Sequence, residues 1–293
     1  MADYDKAIEV GARNAAIFIN RGDILLASGQ PDKAMADFNQ AIELNDKSTL
    51  AYIGRGGAWV AKGNADAALP DFSKVIELAP KNATAWFDRG AAYFAKGENA
   101  RAAADFKQVL ALDPGNAYAA LWLYIARVRA GDGDAGKAEL LSNAVKPFRT
   151  AWPWPVAQLF LDAKDAKATL AAAKSPGEQC EAQFYLGEDR LLKNARDEAL
   201  PYLREAAATC PKNFSEYFQA LNELKPTADS APKSEAAPVK EEPLRPTVGP
   251  GNQDAPAQSA PAQDAPVPAA PAPEAPVQAA PKPVEGQDPA AKP

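Results

Sequence analysis

Gly29, Gly63, Gly97 and Gly131 stand 34 residues apart each time, and this fixed step constrains the chain more than any other feature of it. Arg21, Arg55 and Arg89 keep the same period, as do Gly22/Gly56/Gly90, Ala34/Ala68/Ala102, Asp37/Asp71/Asp105, Phe38/Phe72/Phe106 and Leu44/Leu78/Leu112. A unit of this length with two apolar patterns of helical spacing specifies a helix pair made several times over. A lone pair cannot bury its apolar face, so the units must stack. The expected fold is all-α, a solenoid of antiparallel helix pairs.

Each recurring residue has a local cause. Gly22, Gly56 and Gly90, with Ala34, Ala68 and Ala102, let the two helices of a unit approach closely, and aromatics such as Tyr93 and Phe106 fill the space beside them. Gly29, Gly63 and Gly97 end first helices where a left-handed cap is needed. Arg21–Asp37, Arg55–Asp71 and Arg89–Asp105 each lie 16 residues apart, one on each helix of a unit, and read as partly buried structural ion pairs. A row of arginines for an anionic ligand is the competing reading. In the fourth unit Leu123 replaces the arginine.

The register also sets boundaries. Asp3 and Tyr4 fall one period before Asp37 and Phe38, so the chain is expected to open inside the second helix of an earlier unit. Residues 1–148 read as the repeat array, an orphan helix plus about four units. Residues 149–179 read as an irregular helical linker containing Trp152-Pro153-Trp154-Pro155, with short helices at about 155–162 and 164–174. Residues 180–224 restore the unit: Gly187, Ala199, Leu203 and Pro211 match the unit at Ala83–Asn116 at an offset of 97. A capping helix follows, with Phe214, Tyr217, Phe218, Leu221 and Leu224 on the face expected to be buried and Ser215, Glu216, Gln219 and Asn222 on the other. Pro70 and Pro201 share one repeat position inside second helices, where a small kink or a late helix start is expected. Of 27 prolines, 17 lie in residues 225–293, a stretch without aromatics that reads as a disordered Pro/Ala-rich spacer.

The unit Ala83–Asn116 carries Trp86, Gly90, Tyr93, Ala102, Phe106 and Pro114 at the signature spacings of the tetratricopeptide repeat (TPR), which the array resembles. The resemblance implies a right-handed superhelix whose concave wall comes from positions 2, 5, 9 and 12 of the first helices. Here those positions supply a candidate protein-binding groove of Ile19, Leu26, Ile53, Val60, Phe87, Phe94, Tyr118, Leu121 and Ile125. The wall is apolar and lacks the Lys/Asn/Arg pattern by which co-chaperone TPRs clamp a terminal carboxylate. It suits an amphipathic helix or a partner subunit, unless the chain's own C-terminal helices fold back and fill it. Residues 152–224, with Trp152-Pro153-Trp154, Phe160-Leu161, Glu181, Phe184-Tyr185-Leu186-Gly187, Asn213-Phe214, Glu216, Ala220-Leu221 and Glu223-Leu224, resemble more narrowly the "new lipoprotein I" family of TPR lipoproteins of the Gram-negative envelope. That resemblance implies a non-enzymatic, often dimeric adaptor that presents cell-wall hydrolases to a tail-specific protease.

Composition removes several alternatives. The chain has no histidine, the commonest general base and metal ligand, and its two cysteines cannot build a zinc site without it. No catalytic residue, cofactor or metal is expected. A net charge of −6 argues against nucleic acid, which needs a basic face. No apolar run is long enough for a transmembrane helix, and no signal peptide is visible. Cys180 and Cys210 fall at neighbouring ends of an antiparallel hairpin, which fits a disulfide; two separate small thiols are the other reading. The expectation is a non-enzymatic adaptor or scaffold for protein partners, of the periplasm or cell envelope if an export signal is missing from this chain. A cytoplasmic TPR assembly or regulatory module is the alternative.

Overall fold

Asn14, Ser48, Asn64, Asn82 and Asn116 each accept a backbone N–H with the side-chain oxygen, and each opens a helix. Gly29, Gly63, Gly97 and Gly131 follow first helices with φ of 72°, 72°, 75° and 87°, the left-handed geometry that costs a side chain most. These signals set the element order in the computed structural model, which describes residues 1–11, 13–143 and 151–226. The described residues form fourteen helices and no strand. An opening helix α1 (Ala2–Glu9) precedes four pairs: α2 (Ala15–Ala27) with α3 (Pro31–Leu44), α4 (Thr49–Ala61) with α5 (Ala65–Leu78), α6 (Ala83–Ala95) with α7 (Asn99–Leu112), and α8 (Ala117–Arg129) with α9 (Gly133–Asn143). Two short helices, α10 (Trp154–Phe160) and α11 (Ala166–Ala172), lead to a last pair, α12 (Pro176–Leu192) with α13 (Arg196–Thr209), and to α14 (Ser215–Glu223). Successive helices of the pairs pack on one another, giving a helical solenoid. The expected spacer lies outside the described residues from position 227 onward.

The recurring glycines are places where a ring touches backbone. A Cβ on Gly22 would stand 2.8 Å from the Phe38 ring, and one on Gly54 would stand 2.3 Å from the same ring. Phe38 is thus wedged between its own unit and the next. Gly54→Ala is therefore expected to lose about 1–3 kcal/mol through overpacking, against the ~1 kcal/mol that alanine gains in a helix. Gly57→Ala, whose Cβ meets only Leu26 at 3.6 Å, should gain stability instead. Urea unfolding of the two variants side by side checks the contrast.

The arginines join units as well as helices. Arg21 donates to both Asp37 oxygens at 2.8 and 2.7 Å, Arg55 to both of Asp71 at 2.9 and 2.6 Å, and Arg89 to both of Asp105 at 2.8 Å. The three aspartates are buried. Each guanidinium spends its remaining arm on the preceding unit: Arg21 on Asp5 at 2.9 Å, Arg55 on Asn39 at 2.8 Å, Arg89 on Ser73 at 3.3 Å. Those three acceptors also keep the period of 34, with different residue types at each step. The fork geometry of arginine makes one side chain a clip for three helices. The fourth unit uses another device, Arg127 on Glu139 at 3.0 and 3.1 Å.

Several expectations change in the C-terminal third. Helix α12 starts at Pro176, capped by a reciprocal Ser175–Glu178 box, so Cys180 lies in its second turn rather than at its opening. Cys180 and Cys210 are joined in a disulfide with Cα atoms 5.0 Å apart. Helices α5 and α13 begin five residues before Pro70 and Pro201, so neither starts late. The face of α14 is partly reversed: Glu216, Gln219 and Ala220 are buried and Leu221 is 42% exposed, while Phe214, Tyr217 and Leu224 pack against the core half-buried. The packing partner of that polar face explains the reversal below. Units one and two hold small separate clusters around Phe38, Ile19 and Phe72, and the largest core lies where units three and four meet the C-terminal helices.

Candidate protein-interaction site

The expected groove residues lie on the first helices α2, α4, α6 and α8. Their fates differ along the array. Phe94 is 2% exposed, and Leu121 and Ile125 are fully buried. These three expected groove residues belong instead to a core that α12 and α14 close over. Tyr118 is tied into the same region, donating its hydroxyl to Glu181 of α12 at 2.9 Å. Phe87 packs edge-on to Phe106, with ring centroids 5.3 Å apart. Ile19 is also buried, between Ala41 and Ala51, as an inter-unit contact rather than a docking residue. The physical reason is common to all: an apolar wall in water recruits the nearest apolar surface, here carried on the same chain.

Trp122 is the hub of this closure. It has no exposed surface and stacks among Phe94, Phe106, Phe184 and Tyr185 at centroid distances of 5.2, 5.9, 5.5 and 6.4 Å. Its indole N–H acts on the Glu216 carboxyl against the effect of burial, without meeting it in a well-formed hydrogen bond.

Helix α14 is held by polar groups that the concave wall happens to offer. Gln219 Nε2 donates to the Ala91 carbonyl and Asn222 Nδ2 to the Ala95 carbonyl, both at 2.9 Å, so α14 runs along α6. Glu216 accepts from the Tyr185 hydroxyl at 2.8 Å. Arg129, whose guanidinium carbon lies 4.5 Å from the centre of the Phe94 ring, donates to Glu223 at 2.7 Å and to buried Glu188 at 2.6 Å. A helix whose polar face meets backbone carbonyls and aromatic hydroxyls must turn that face inward. The loop before α14 extends the closure, bringing the Lys212 ammonium to 4.0 Å from where a Cβ on Gly29 would sit.

Burial sets the electrostatics of the covered half. It pushes Glu216 up to about 7 and raises Glu188 against the pull of Arg129. It raises Glu181, opposed by hydrogen bonds from Trp152, at 2.6 Å, and Tyr118. Each of these carboxyls is engaged by a packing partner. Asp88, on α6, differs: burial pushes it up to about 7, and it makes no hydrogen bond or ion pair with the described residues.

The remaining expected groove residues are less enclosed. Leu26, Ile53 and Val60 are half-buried, and Leu50, at the same face of α4, is 64% exposed. Phe218 of α14 is half-buried and packs edge-on to Tyr217 with ring centroids 5.2 Å apart, and Leu221 is exposed. Elsewhere, a shallow cavity of about 290 Å³ lies beside Trp152, Trp154 and Pro155, and one of about 380 Å³ beside Asp162, Asp189 and Lys193. Among the described residues no cluster of three His, Cys, Asp or Glu is placed to hold a metal ion, and no helix is long and apolar enough to cross a membrane. Sequence reasoning missed the parts that Trp122, Glu181, Glu216 and Gln219 play in this closure. The one legible signal was the tryptophan, which stands where earlier units have Asn20, Gly54 and Asp88.

Residues 15–48 and 56–117 match the tetratricopeptide repeat family, so the chain carries TPR units over these stretches. No curated protein matches the sequence. Among solved structures, a tetratricopeptide repeat protein from Parabacteroides merdae is 16% identical, with 75% of this chain and 89% of that one covered and a TM-score of 0.52. A thermophilic TPR protein of Thermus thermophilus is 19% identical over 72% of this chain and 98% of its own, with a TM-score of 0.44. YrrB, described as a TPR protein with an unusual peptide-binding site, is 19% identical over 73% and 95%, with a TM-score of 0.44. TPR proteins are in general protein-interaction scaffolds that bind protein or peptide partners.

Proposed function

We propose that this protein is a non-catalytic adaptor that holds a protein partner on the open half of its concave wall, and that it works in an oxidising envelope compartment. The observation that carries the reading is the contrast along one wall. Phe94, Leu121 and Ile125 are sealed by the chain's own helices, whereas Leu50 is exposed and Leu26, Ile53 and Val60 are only half-buried. The Cys180–Cys210 disulfide supports the compartment, because such bonds persist where thiols are not kept reduced. Cell-wall hydrolases and an envelope protease are the clients we propose, and a second copy of the chain is the simplest alternative partner on the same wall.

Site-specific photo-crosslinking in cells tests this. A crosslinker in place of Leu50 is expected to give one or a few discrete protein adducts that Ile53→Asp with Val60→Asp abolishes. The same crosslinker at exposed Lys33 should give none. An adduct of twice the chain's mass would identify the partner as a second copy. Equal labelling at both positions, or adducts indifferent to the double substitution, would remove the reading.

A further inference from the structure

The carboxyls of Glu181, Glu188, Glu216 and Glu223 gather where α14 meets α8 and α12, and they are not treated alike. Glu188 and Glu223 share the Arg129 guanidinium, at 2.6 and 2.7 Å. Glu216 is 5% exposed and accepts from the Tyr185 hydroxyl at 2.8 Å, and among the described residues no ammonium or guanidinium pairs with it. Glu181, 7% exposed, is met by the Tyr118 hydroxyl and the Trp152 indole, which are neutral donors. Glu181 opposes charge on Glu216, and both act on Tyr118 and Tyr185, so these side chains form one enclosed group. The other neighbours bring Glu216 no counter-charge. Helix α6 adds a further carboxyl, Asp88, one turn before Ala91. On α13, Arg196 donates to the Glu223 and Lys225 carbonyls at the opposite end of α14, at 2.9 and 3.3 Å, and Asp197, Glu198, Arg204 and Glu205 are exposed.

We propose that α14 is a proton-gated latch, seated while Glu216 is protonated and loosened when Glu216 ionises. A carboxylate enclosed without a counter-ion is costly, whereas the protonated acid is not. Tyr185, Trp122 and the backbone of Glu216 itself favour the charge, but burial and Glu181 outweigh them. Release of α14 carries Glu216 into water, where ionisation meets no such penalty. The seated helix therefore binds the proton more tightly: Glu216 holds it up to about pH 7, against an ordinary value of 4.5. Its contribution to seating is full below pH 4.5 and is lost as pH rises through about 7. Loosening frees the Ala91 and Ala95 carbonyls that Gln219 and Asn222 occupy, and uncovers the core beneath Tyr217 and Ala220. The latch needs no partner and stands apart from the docking surface proposed above.

Amide exchange of the full chain at pH 5 and pH 8, corrected for the intrinsic pH dependence of exchange and resolved over α14, tests the latch. In the wild type, protection of α14 should fall on the order of 100-fold between the two, as a value moved from 4.5 to about 7 requires. Helices α2 to α5 should change little. Glu216→Gln still accepts from Tyr185 and cannot ionise, so it should cut the fall to under about 10-fold and keep α14 seated at pH 8. Glu181→Gln leaves Glu216 in place and removes the like charge, which should move the centre of the fall to lower pH. A wild type whose protection does not fall, or a fall of wild-type size in Glu216→Gln, would overturn the latch. Circular dichroism checks that Glu216→Gln folds. If it does not, Glu181→Gln decides alone, and an unmoved centre overturns the proposal.

Discussion

Trp122→Ala is expected to lose about 3–5 kcal/mol of stability, the most of any single aromatic in the chain. The side chain is fully enclosed, and rings from α6, α7 and α12 converge on it. Alanine would leave a void bounded by rigid rings that cannot collapse into it. The loss should also be uneven. Units one and two have their own clusters and arginine clips, so they should keep their fold while α12 to α14 loosen from the wall. Urea unfolding followed by far-ultraviolet circular dichroism reads the total. Amide exchange resolved along the chain reads the distribution, and protection should fall first between Pro176 and Glu223. Trp122→Phe is the control. It keeps a ring and removes only the weak action of the indole N–H on Glu216, so its cost should be well below that of alanine. A loss under about 1 kcal/mol for Trp122→Ala would mean that the C-terminal helices are held by polar contacts alone.

Removing the disulfide is the second large effect. Cys180 and Cys210 enclose a loop of 30 residues, which in the chain-entropy account is worth roughly 3–4 kcal/mol. Replacing both by serine, or reducing the wild type with dithiothreitol, should lower the urea midpoint by the same amount, because the only change common to both is the loss of the link. The hairpin α12–α13 carries Phe184, Tyr185, Glu181 and Glu188, so its opening would uncover the sealed half of the wall. Binding of the dye ANS should rise before global unfolding. A reductant-insensitive midpoint would show that the closed hairpin gains nothing from the link.

Much of this architecture was legible from spacing. Helix pairing, the glycine caps and the Arg–Asp clips follow from residues that return every 34 positions, because each does the same steric or ionic task in every unit. The backward arm of each clip was not legible, since Asp5, Asn39 and Ser73 share an acceptor role but no residue type. Groove and core could not be separated along the wall either. Phe94, Leu121 and Ile125 are as apolar as Leu26, Ile53 and Val60, and only the folded-back helices distinguish them. The reversal of α14 has a different cause. Its amphipathic pattern was read against the expectation that apolar faces go inward, but Gln219 and Asn222 find carbonyls of α6. No pattern of side chains displays backbone acceptors. The Ser175–Glu178 box was passed over because the repeat register alone was followed, and it starts α12 a turn earlier than that register does.

The clips end where the aromatic core begins: Arg21, Arg55 and Arg89 have no counterpart at Leu123. The protein is therefore mechanically two-part. A dry block of interlocked rings anchors one end, and a stack of polar fasteners that can lengthen and re-form makes up the other. Flexure is expected to be absorbed in the stack, which behaves as a short spring mounted on a fixed base.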